Sequence, residues 1–494
     1  MPSLITTSIP ASPITTTPSS PTAPGTRGIT KLTNCRLVRG NDLVWEDLWI
    51  SSNTGKIVRS QAAFYDHHVL PDETVDLGGR IVAPGMIECQ LNGAFGFNFS
   101  TLFGDEDNAA KGQPTTYETR LRELNRKLVQ TGVTSYVPTV TSQTSELYHK
   151  VLPHLAPHRG EAKDGAESLG AHVEGPFLSP TKNGVHNPEV FREATAFADV
   201  EAMYGAKNLA GDVHSTGTDE NSRKPAVRMI TAAPEIGRMT DVVFPELRRR
   251  GIVCAIGHSE ATYEQAAAAI SHGATMITHL FNAMRPLHHR NPGIFGVLGE
   301  TPLVRVDNPS SSLEGAVAPS PRPYFGVIAD GNHLHPTTVK IAYNAYPAGF
   351  ILVTDAMHMV GCPDGPYDWT NGGHHMRLVK DGKVLLLEGT DTIAGSTITL
   401  IECVENFINW TGATIPQALR TVTSTPAAML GLQGVKGSLD AGADADLLVL
   451  SAEEVLELPS SPTTAAVTGG ASVVTTRLHV DEVWKFGQRV HQRK

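Results

Sequence analysis

IVCAIGHSEATYEQAAAAISHGATMITH, residues 252–279, decides the fold. Ile252–His258 is a short apolar run rich in β-branched residues and reads as a strand. Glu260–His272 reads as a helix, and Thr275–His279 (TMITH) as the next strand. Both strands are near-continuously apolar, which fits a parallel sheet covered on both faces. Each stops on a histidine. Working outward, the same alternation recurs. Six more candidate strands are Ile81–Gln90, Thr134–Val140, Leu169–Glu174, Val227–Ala233, Phe325–Asp330 and Phe350–Asp355. Further helices are expected over Tyr117–Gln130, Glu235–Arg250 and Thr337–Tyr346. Eight strands alternating with helices predict an α/β fold, a (β/α)8 barrel of TIM type.

The flanks read differently. Residues 1–27 are rich in Ser, Thr and Pro and read as a disordered tail. Short strands with turn signals fill 28–82, and the same style returns over 433–494. We read these two segments as one small β-sandwich formed by both chain ends, with the barrel, 83–432, inserted between them. Gly211–Pro225 and Asn308–Pro323 read as polar surface insertions.

Composition narrows the function. Forty basic against 50 acidic residues give a formal net charge of −10, which argues against a nucleic-acid partner. No run of about 18 apolar residues is present, so no membrane span is expected. Five cysteines, widely spaced and without a CxxC, argue against a disulfide framework or a cysteine zinc site. The N-terminus lacks a basic segment followed by an apolar one, so a cytoplasmic protein is expected.

The chemistry is written where strands stop. Four candidate strands end on Glu174, His258, His279 and Asp355. Alone, such a carboxylate serves equally as a helix cap, and most of the 20 histidines need be no more than surface or core residues. A barrel, however, gathers all its strand ends at one mouth. One carboxylate and two imidazoles are a ligand set for a catalytic divalent metal, usually zinc. Three protein ligands leave a position for water, whose pKa falls from about 15.7 toward about 7 on such an ion. A neighbouring aspartate can move its remaining proton to a leaving group. This is a hydrolase design.

Nine strings add a resemblance: PGMIECQLNG (Pro84–Gly93), HVEGPFLSPTKNGVHNP (His172–Pro188), APE (Ala233–Glu235), GHSEATYEQA (Gly257–Ala266), THLFNAM (Thr278–Met284), RNPG (Arg290–Gly293), IADGNHLHP (Ile328–Pro336), LVTDAM (Leu352–Met357) and AGS (Ala394–Ser396). Together they resemble the amidohydrolase superfamily, and within it the N-acetylglucosamine-6-phosphate deacetylase family. The resemblance implies hydrolysis of the acetamide of N-acetyl-D-glucosamine 6-phosphate, releasing acetate. It implies Glu174, His258 and His279 as metal ligands and Asp355 as the catalytic acid and base. It implies contacts to the sugar or acetyl group from Val185 and His186, and to the phosphate from Asn282, Ala283 and Arg290. Asp330 and His333 match a loop that helps hold the sugar phosphate, and Ile393, Ala394 and Gly395 a loop closing over it. It also implies a homodimer, because the arginine can come from a neighbouring subunit.

One departure shapes the metal count. Many amidohydrolases carry H-x-H at the end of strand one, where this chain has Gln90-Leu91-Asn92. Neither amide is ionisable, so one divalent ion per subunit is expected (Zn, with Fe, Mn or Co alternatives), with Gln90 beside it as a weak ligand or neighbour. A cyclic amidase or deaminase of the same superfamily would usually keep H-x-H, and several use a lysine at strand four, where this chain reads TAAPE. A non-catalytic barrel scaffold would be expected to have lost the ligands or the acid.

Overall fold

The computed structural model describes residues 28–60, 70–102, 116–210, 224–299, 322–457 and 472–494. The expected tail and nearly all of the two expected insertions lie outside the described residues. Eight parallel strands form the barrel: β1 (Met86–Leu91), β2 (Val133–Val140), β3 (Ala171–Glu174), β4 (Val227–Ala232), β5 (Val253–Ile256), β6 (Ala274–Ile277), β7 (Tyr324–Ile328) and β8 (Phe350–Val353). Each pairs in parallel with the next, β1 with β2 through to β7 with β8. Between β8 and β1 there is no regular ladder. The barrel closes just beyond the strand ends, by a parallel bridge from Leu91 to Ala356. There Asp355 N donates to Gln90 O at 3.0 Å and Asn92 N to Ala356 O at 2.8 Å.

Nearly every strand residue is buried, as the continuous apolar runs require, because helices cover the outside of the sheet. Tyr263–Ser271, between β5 and β6, starts on a capping box: Thr262 Oγ1 accepts from Gln265 N, and Gln265 Oε1 accepts from Thr262 N. Tyr117–Leu128 and Pro336–Ala345 fall where the sequence places helices. The expected helix over Glu235–Arg250 is cut to a π-turn at Met239–Val243 and a short helix at Phe244–Arg249. Its predicted first turn is lost because Glu235 faces away, accepting from Ser259 Oγ at 2.7 Å and Glu260 N at 2.6 Å.

The expected first strand, Ile81–Gln90, is two strands in two sheets. Ile81–Pro84 belongs to the small β domain; Met86–Leu91 belongs to the barrel. The chain crosses at Gly85, where a Cβ would lie 2.1 Å from Thr134 Oγ1. Ile81–Pro84 pairs in parallel with Arg36–Arg39 and antiparallel with Leu447–Glu457, so both chain ends meet in one six-stranded sheet. Leu37, Val82, Leu447 and Val449 of that sheet share a core with Leu32, Leu48 and Ile50 of the four-stranded sheet. A third sheet was not expected: Gly365–Asn371, His374–Asp381 and Val384–Leu387 make an antiparallel three-stranded leaf after β8.

A buried charge cluster ties barrel to β domain. Glu167, just before β3, accepts from Lys485 Nζ at 2.7 Å and from Lys436 Nζ. The same two ammonium groups reach Asp446 Oδ2 at 2.8 and 2.6 Å. Lys436 also pairs with Asp444 at 2.7 Å. Removing one member leaves buried charge uncompensated. Lys485→Ala is therefore expected to cost about 3–5 kcal/mol, read as a lowered denaturant midpoint with the slope unchanged. A shift under about 1 kcal/mol would show that the pair is not buried charge.

Candidate active site

Four of the strand-end residues meet at the barrel mouth. Glu174 is the last residue of β3. His258, His279 and Asp355 each lie two positions past the end of their strands, at Ile256, Ile277 and Val353. All three adopt left-handed backbone, with φ of 48°, 25° and 48°. Non-glycine residues take up this conformation at a cost, and the surrounding fold must hold them in it. The same local twist turns each side chain from the strand into the mouth.

The distances show one focus. His279 Nε2 lies 2.9 Å and His258 Nε2 3.2 Å from Glu174 Oε1, and the two Nε2 atoms are 3.1 Å apart. His258 Nδ1 is 2.7 Å from the Lys182 carbonyl, which can only accept. Nδ1 therefore carries the hydrogen, and Nε2 points a lone pair at a carboxylate that is itself an acceptor. All three residues are buried. Converging acceptors of this kind fit a cation, and one carboxylate with two imidazoles suits a borderline divalent metal. Glu167, Asp444 and Asp446 also cluster closely enough to grip an ion. There, however, the ammonium groups of Lys436 and Lys485 already supply the positive charge.

Asp355 stands beside this focus. Its Oδ1 accepts from Asn92 Nδ2 at 2.7 Å and Gln90 Nε2 at 3.3 Å. The Gln90 amide also lies 3.3 Å from both Glu174 oxygens, so it bridges the two carboxylates. Burial, and then the nearby Glu174 charge, push the Asp355 carboxyl up to about 6. Asn92 was read from sequence only as a non-ionisable, weak metal ligand; among the described residues it makes the shortest hydrogen bond to the Asp355 carboxylate.

His186 packs edge-on to His258, ring centroids 4.6 Å apart. Ser142 N donates to its Nδ1 at 3.2 Å, so the hydrogen sits on Nε2 and the ring offers a donor. Burial, and then His258, push His186 down to about 3, which keeps it neutral. The Val185 carbonyl accepts from Asn371 Nδ2 at 3.2 Å. Asp330 turns inward on its own loop: Oδ2 accepts from His333 Nδ1 at 2.7 Å and Oδ1 from His333 N at 2.9 Å. It orients His333, whose Nε2 remains for a ligand. Asn282 and Ala283 follow His279 in a tight turn, with φ of 76° at Phe281 and 50° at Ala283. Ile393 bridges to Leu386 of the leaf, and Ala394 N donates to Leu385 O. Gly395 packs against Asp355 O, where a Cβ would come within 2.9 Å. Arg290 is not brought to the site by its own chain: it is exposed, and its guanidinium pairs with no described residue.

Beneath the mouth lies a residue that sequence reasoning passed over. His172 is fully buried on β3, two positions before Glu174. It is 3.1 Å from Thr139 Oγ1 and 2.7 Å from Thr231 Oγ1, and Thr231 Oγ1 is 2.6 Å from Thr278 Oγ1. This chain spans β2, β3, β4 and the end of β6 as a polar floor. The H-x-E spacing, with its period of two, was its only signal.

The amidohydrolase family model matches residues 81–478. The N-acetylglucosamine-6-phosphate deacetylases of Danio rerio and Homo sapiens are each 38% identical to this chain over 424 residues, covering 85% of it and 93% and 91% of their own lengths. A mutant N-acetyl-D-glucosamine-6-phosphate deacetylase from Mycobacterium smegmatis, solved in complex with N-acetyl-D-glucosamine-6-phosphate, superposes with a TM-score of 0.65 at 26% identity, covering 94% of this chain and 98% of that one.

The geometry sets a test independent of turnover. His258→Ala and His279→Ala are each expected to lower the metal bound per purified chain severalfold, measured by elemental analysis. A histidine outside the focus, His172→Asn, is expected to leave it within about twofold, since such losses follow ligand removal. Unchanged metal in the first two variants would exclude them as ligands.

Proposed function

The chain belongs to the amidohydrolase family, and on that premise we propose the chemistry of its site: water and N-acetyl-D-glucosamine 6-phosphate give D-glucosamine 6-phosphate and acetate, a reaction of amino-sugar metabolism. The observation that carries this reading is the placement of Asp355 beside the joint focus of Glu174, His258 and His279. An amide hydrolase needs both, a polarising centre and a group that moves a proton to nitrogen.

Glu174, His258 and His279 would hold one divalent cation, zinc by the preference of this donor set, although Fe, Mn and Co accept the same donors. When bound, the cation polarises the acyl carbonyl and acidifies water. The chain's own residues do the rest. Asp355 takes the proton of the attacking water and delivers it to the amide nitrogen, which cannot leave as an anion. Its Oδ1 is held by Asn92 and Gln90, so Oδ2 is the oxygen that moves the proton. Burial raises this carboxyl above the ordinary aspartate range, which makes it a better proton acceptor than an exposed aspartate. His186 Nε2–H donates to the acyl oxygen as negative charge gathers there. His333, oriented by Asp330, holds a sugar hydroxyl.

For the phosphate we assign the Asn282 amide, the turn through Ala283, and Arg290. A dianion needs such donors, and a guanidinium binds it with two parallel bonds. Because Arg290 has no described partner in its own chain, we propose a homodimer in which it completes the partner protomer's site. Leu287, 54% exposed in the same loop, suits that interface. Among the described residues no helix is long and apolar enough to cross a membrane. We place the enzyme in the cytoplasm, which suits its five unpaired cysteines.

Two outcomes test this reading. Asp355→Asn is expected to lower acetate release by at least about 100-fold while leaving metal content and the thermal midpoint near wild type; near-normal turnover would remove the acid–base assignment. Arg290→Ala is expected to raise KM for the phosphorylated sugar at least about tenfold more than for N-acetylglucosamine, in line with a lost charge-assisted bidentate contact. Equal effects on the two substrates would place Arg290 away from the phosphate.

A further inference from the structure

A hairpin tip is usually the wettest part of a sheet. In the leaf, most residues of Gly365–Asn371 and His374–Asp381 are exposed or half-buried, yet Asn371, at the tip, is 0% exposed. Asn371 pairs with His374 across the two glycines Gly372 and Gly373, with φ of 56° and 76°, the tight turn that suits a twisted hairpin. This turn drives the tip into the wall of the active site.

Three hydrogen bonds hold the Asn371 side chain there. Its Oδ1 accepts from Thr141 Oγ1 at 2.8 Å and Gln143 Nε2 at 3.1 Å, and its Nδ2 donates to Val185 O at 3.2 Å. Two more hold the next residue: Gly372 N donates to Gln143 Oε1 at 3.1 Å, and Gly372 O accepts from Asn187 Nδ2 at 3.0 Å. The partners fall into two groups. Thr141 and Gln143 lie just past the end of β2. Val185 and Asn187 flank His186. The tip therefore fastens the His186 loop to the barrel. Below it, Trp369, Leu378 and Leu385 of the leaf pack with Met357, Ala394 and Val185.

The loop does not fix its own place. His186 N donates to Asn183 O at 2.9 Å and Asn183 Nδ2 to His186 O at 3.1 Å, which sets the shape of the turn but not its distance from the mouth. Lys182 O ties the start of the loop to His258 Nδ1 at 2.7 Å; around His186 itself the hold comes from Ser142 at the ring and from the leaf at both neighbouring residues. We propose that Asn371 is a positioning residue: by gripping Val185, the leaf tip sets where His186 presents its Nε2–H, and so how well the acyl group is read. A small displacement of such a donor is costly, because its value depends on pre-set geometry. The proposal rests on the reading above, in which His186 addresses the acyl oxygen.

Asn371→Asp separates positioning from support. It keeps the volume and both acceptor bonds, loses the donor to Val185, and sets a carboxylate against that carbonyl. Expected is a fall of at least about tenfold in kcat/KM for N-acetylglucosamine 6-phosphate, with metal content unchanged and the thermal midpoint within a few degrees. In a His186→Asn background the same substitution should change kcat/KM by less than about threefold, since residues acting as one unit do not add. Multiplying losses in the double variant would overturn the proposal, as would a lowered midpoint with kcat/KM intact in the folded fraction. If Asn371→Asp does not fold, Asn187→Asp, which keeps its cap on Glu189 N but loses the donor to Gly372, carries the same expectations. His186→Asn with unaltered kcat/KM would overturn the proposal while leaving the deacetylase reading intact. No acetate release from the wild-type enzyme would instead fell that reading.

Discussion

Two imidazole nitrogens and a carboxylate, aimed at one point in a buried cleft, are satisfied together only when positive charge lies among them. Much of the mouth is arranged around that requirement. His258 is locked by the Lys182 carbonyl so that the lone pair cannot turn away. His258, His279 and Asp355 are held in left-handed backbone that their side chains disfavour. Such strain persists only where the surroundings over-determine it, and here each of these residues follows a parallel strand buried on both faces.

The second carboxylate is managed by neutral groups. Asp355 lies close enough to Glu174 for their charges to compete, and the fold sets two amides about the Asp355 carboxylate. Gln90 bridges both, and Asn92 takes one oxygen of Asp355. A charged partner in either place would hold Asp355 low and spoil it as a proton carrier; an apolar one would leave its oxygen unpaired. The position of these amides follows from barrel closure. The seam between β8 and β1 has no regular ladder, and Gln90, Leu91 and Asn92 form its bonds to Asp355 and Ala356. The seam that joins the barrel also sets the surroundings of the Asp355 carboxyl.

What the sequence made legible follows the same physics. Strands covered on both faces must be apolar throughout, so a polar residue that ends such a run is conspicuous, and Glu174, His258, His279 and Asp355 could all be picked out. The break at Gly85 could not, because two strands in different sheets form one unbroken apolar run. The leaf was missed for the opposite reason. Its strands are mostly solvated, the alternation of Tyr367 and Trp369 with Asp368 and Thr370 is short, and Gly372–Gly373 reads equally well as loop. Ser142 and Asn371 were overlooked, and Asn92 was read only as a weak metal ligand, because neutral side chains gain importance only from partners distant in sequence. Asn371 meets Thr141 and Gln143 from about 230 positions away. The helix expected at Glu235 failed because a carboxylate suited to a first helical turn found better donors across the fold.

The two ends of the barrel resolve polarity in different ways, and the difference explains where each kind of residue belongs. At the end away from the mouth, Glu167, Asp444 and Asp446 meet Lys436 and Lys485, and the charges are satisfied inside the protein. Such a cluster adds little net stability over an apolar core, but breaking one of its pairs leaves a buried charge uncompensated where the β domain meets the barrel. At the mouth polar groups are left short: His279 Nδ1 and Asn92 Oδ1 are buried with no described partner, and Glu174, His258 and His279 turn three potential ligand atoms toward one another. A complete cluster rigidifies; an incomplete one has affinity to spare. The leaf joins the two regimes, since its tip satisfies every bond it makes with the site wall and thereby holds still the one loop whose histidine must keep a donor free.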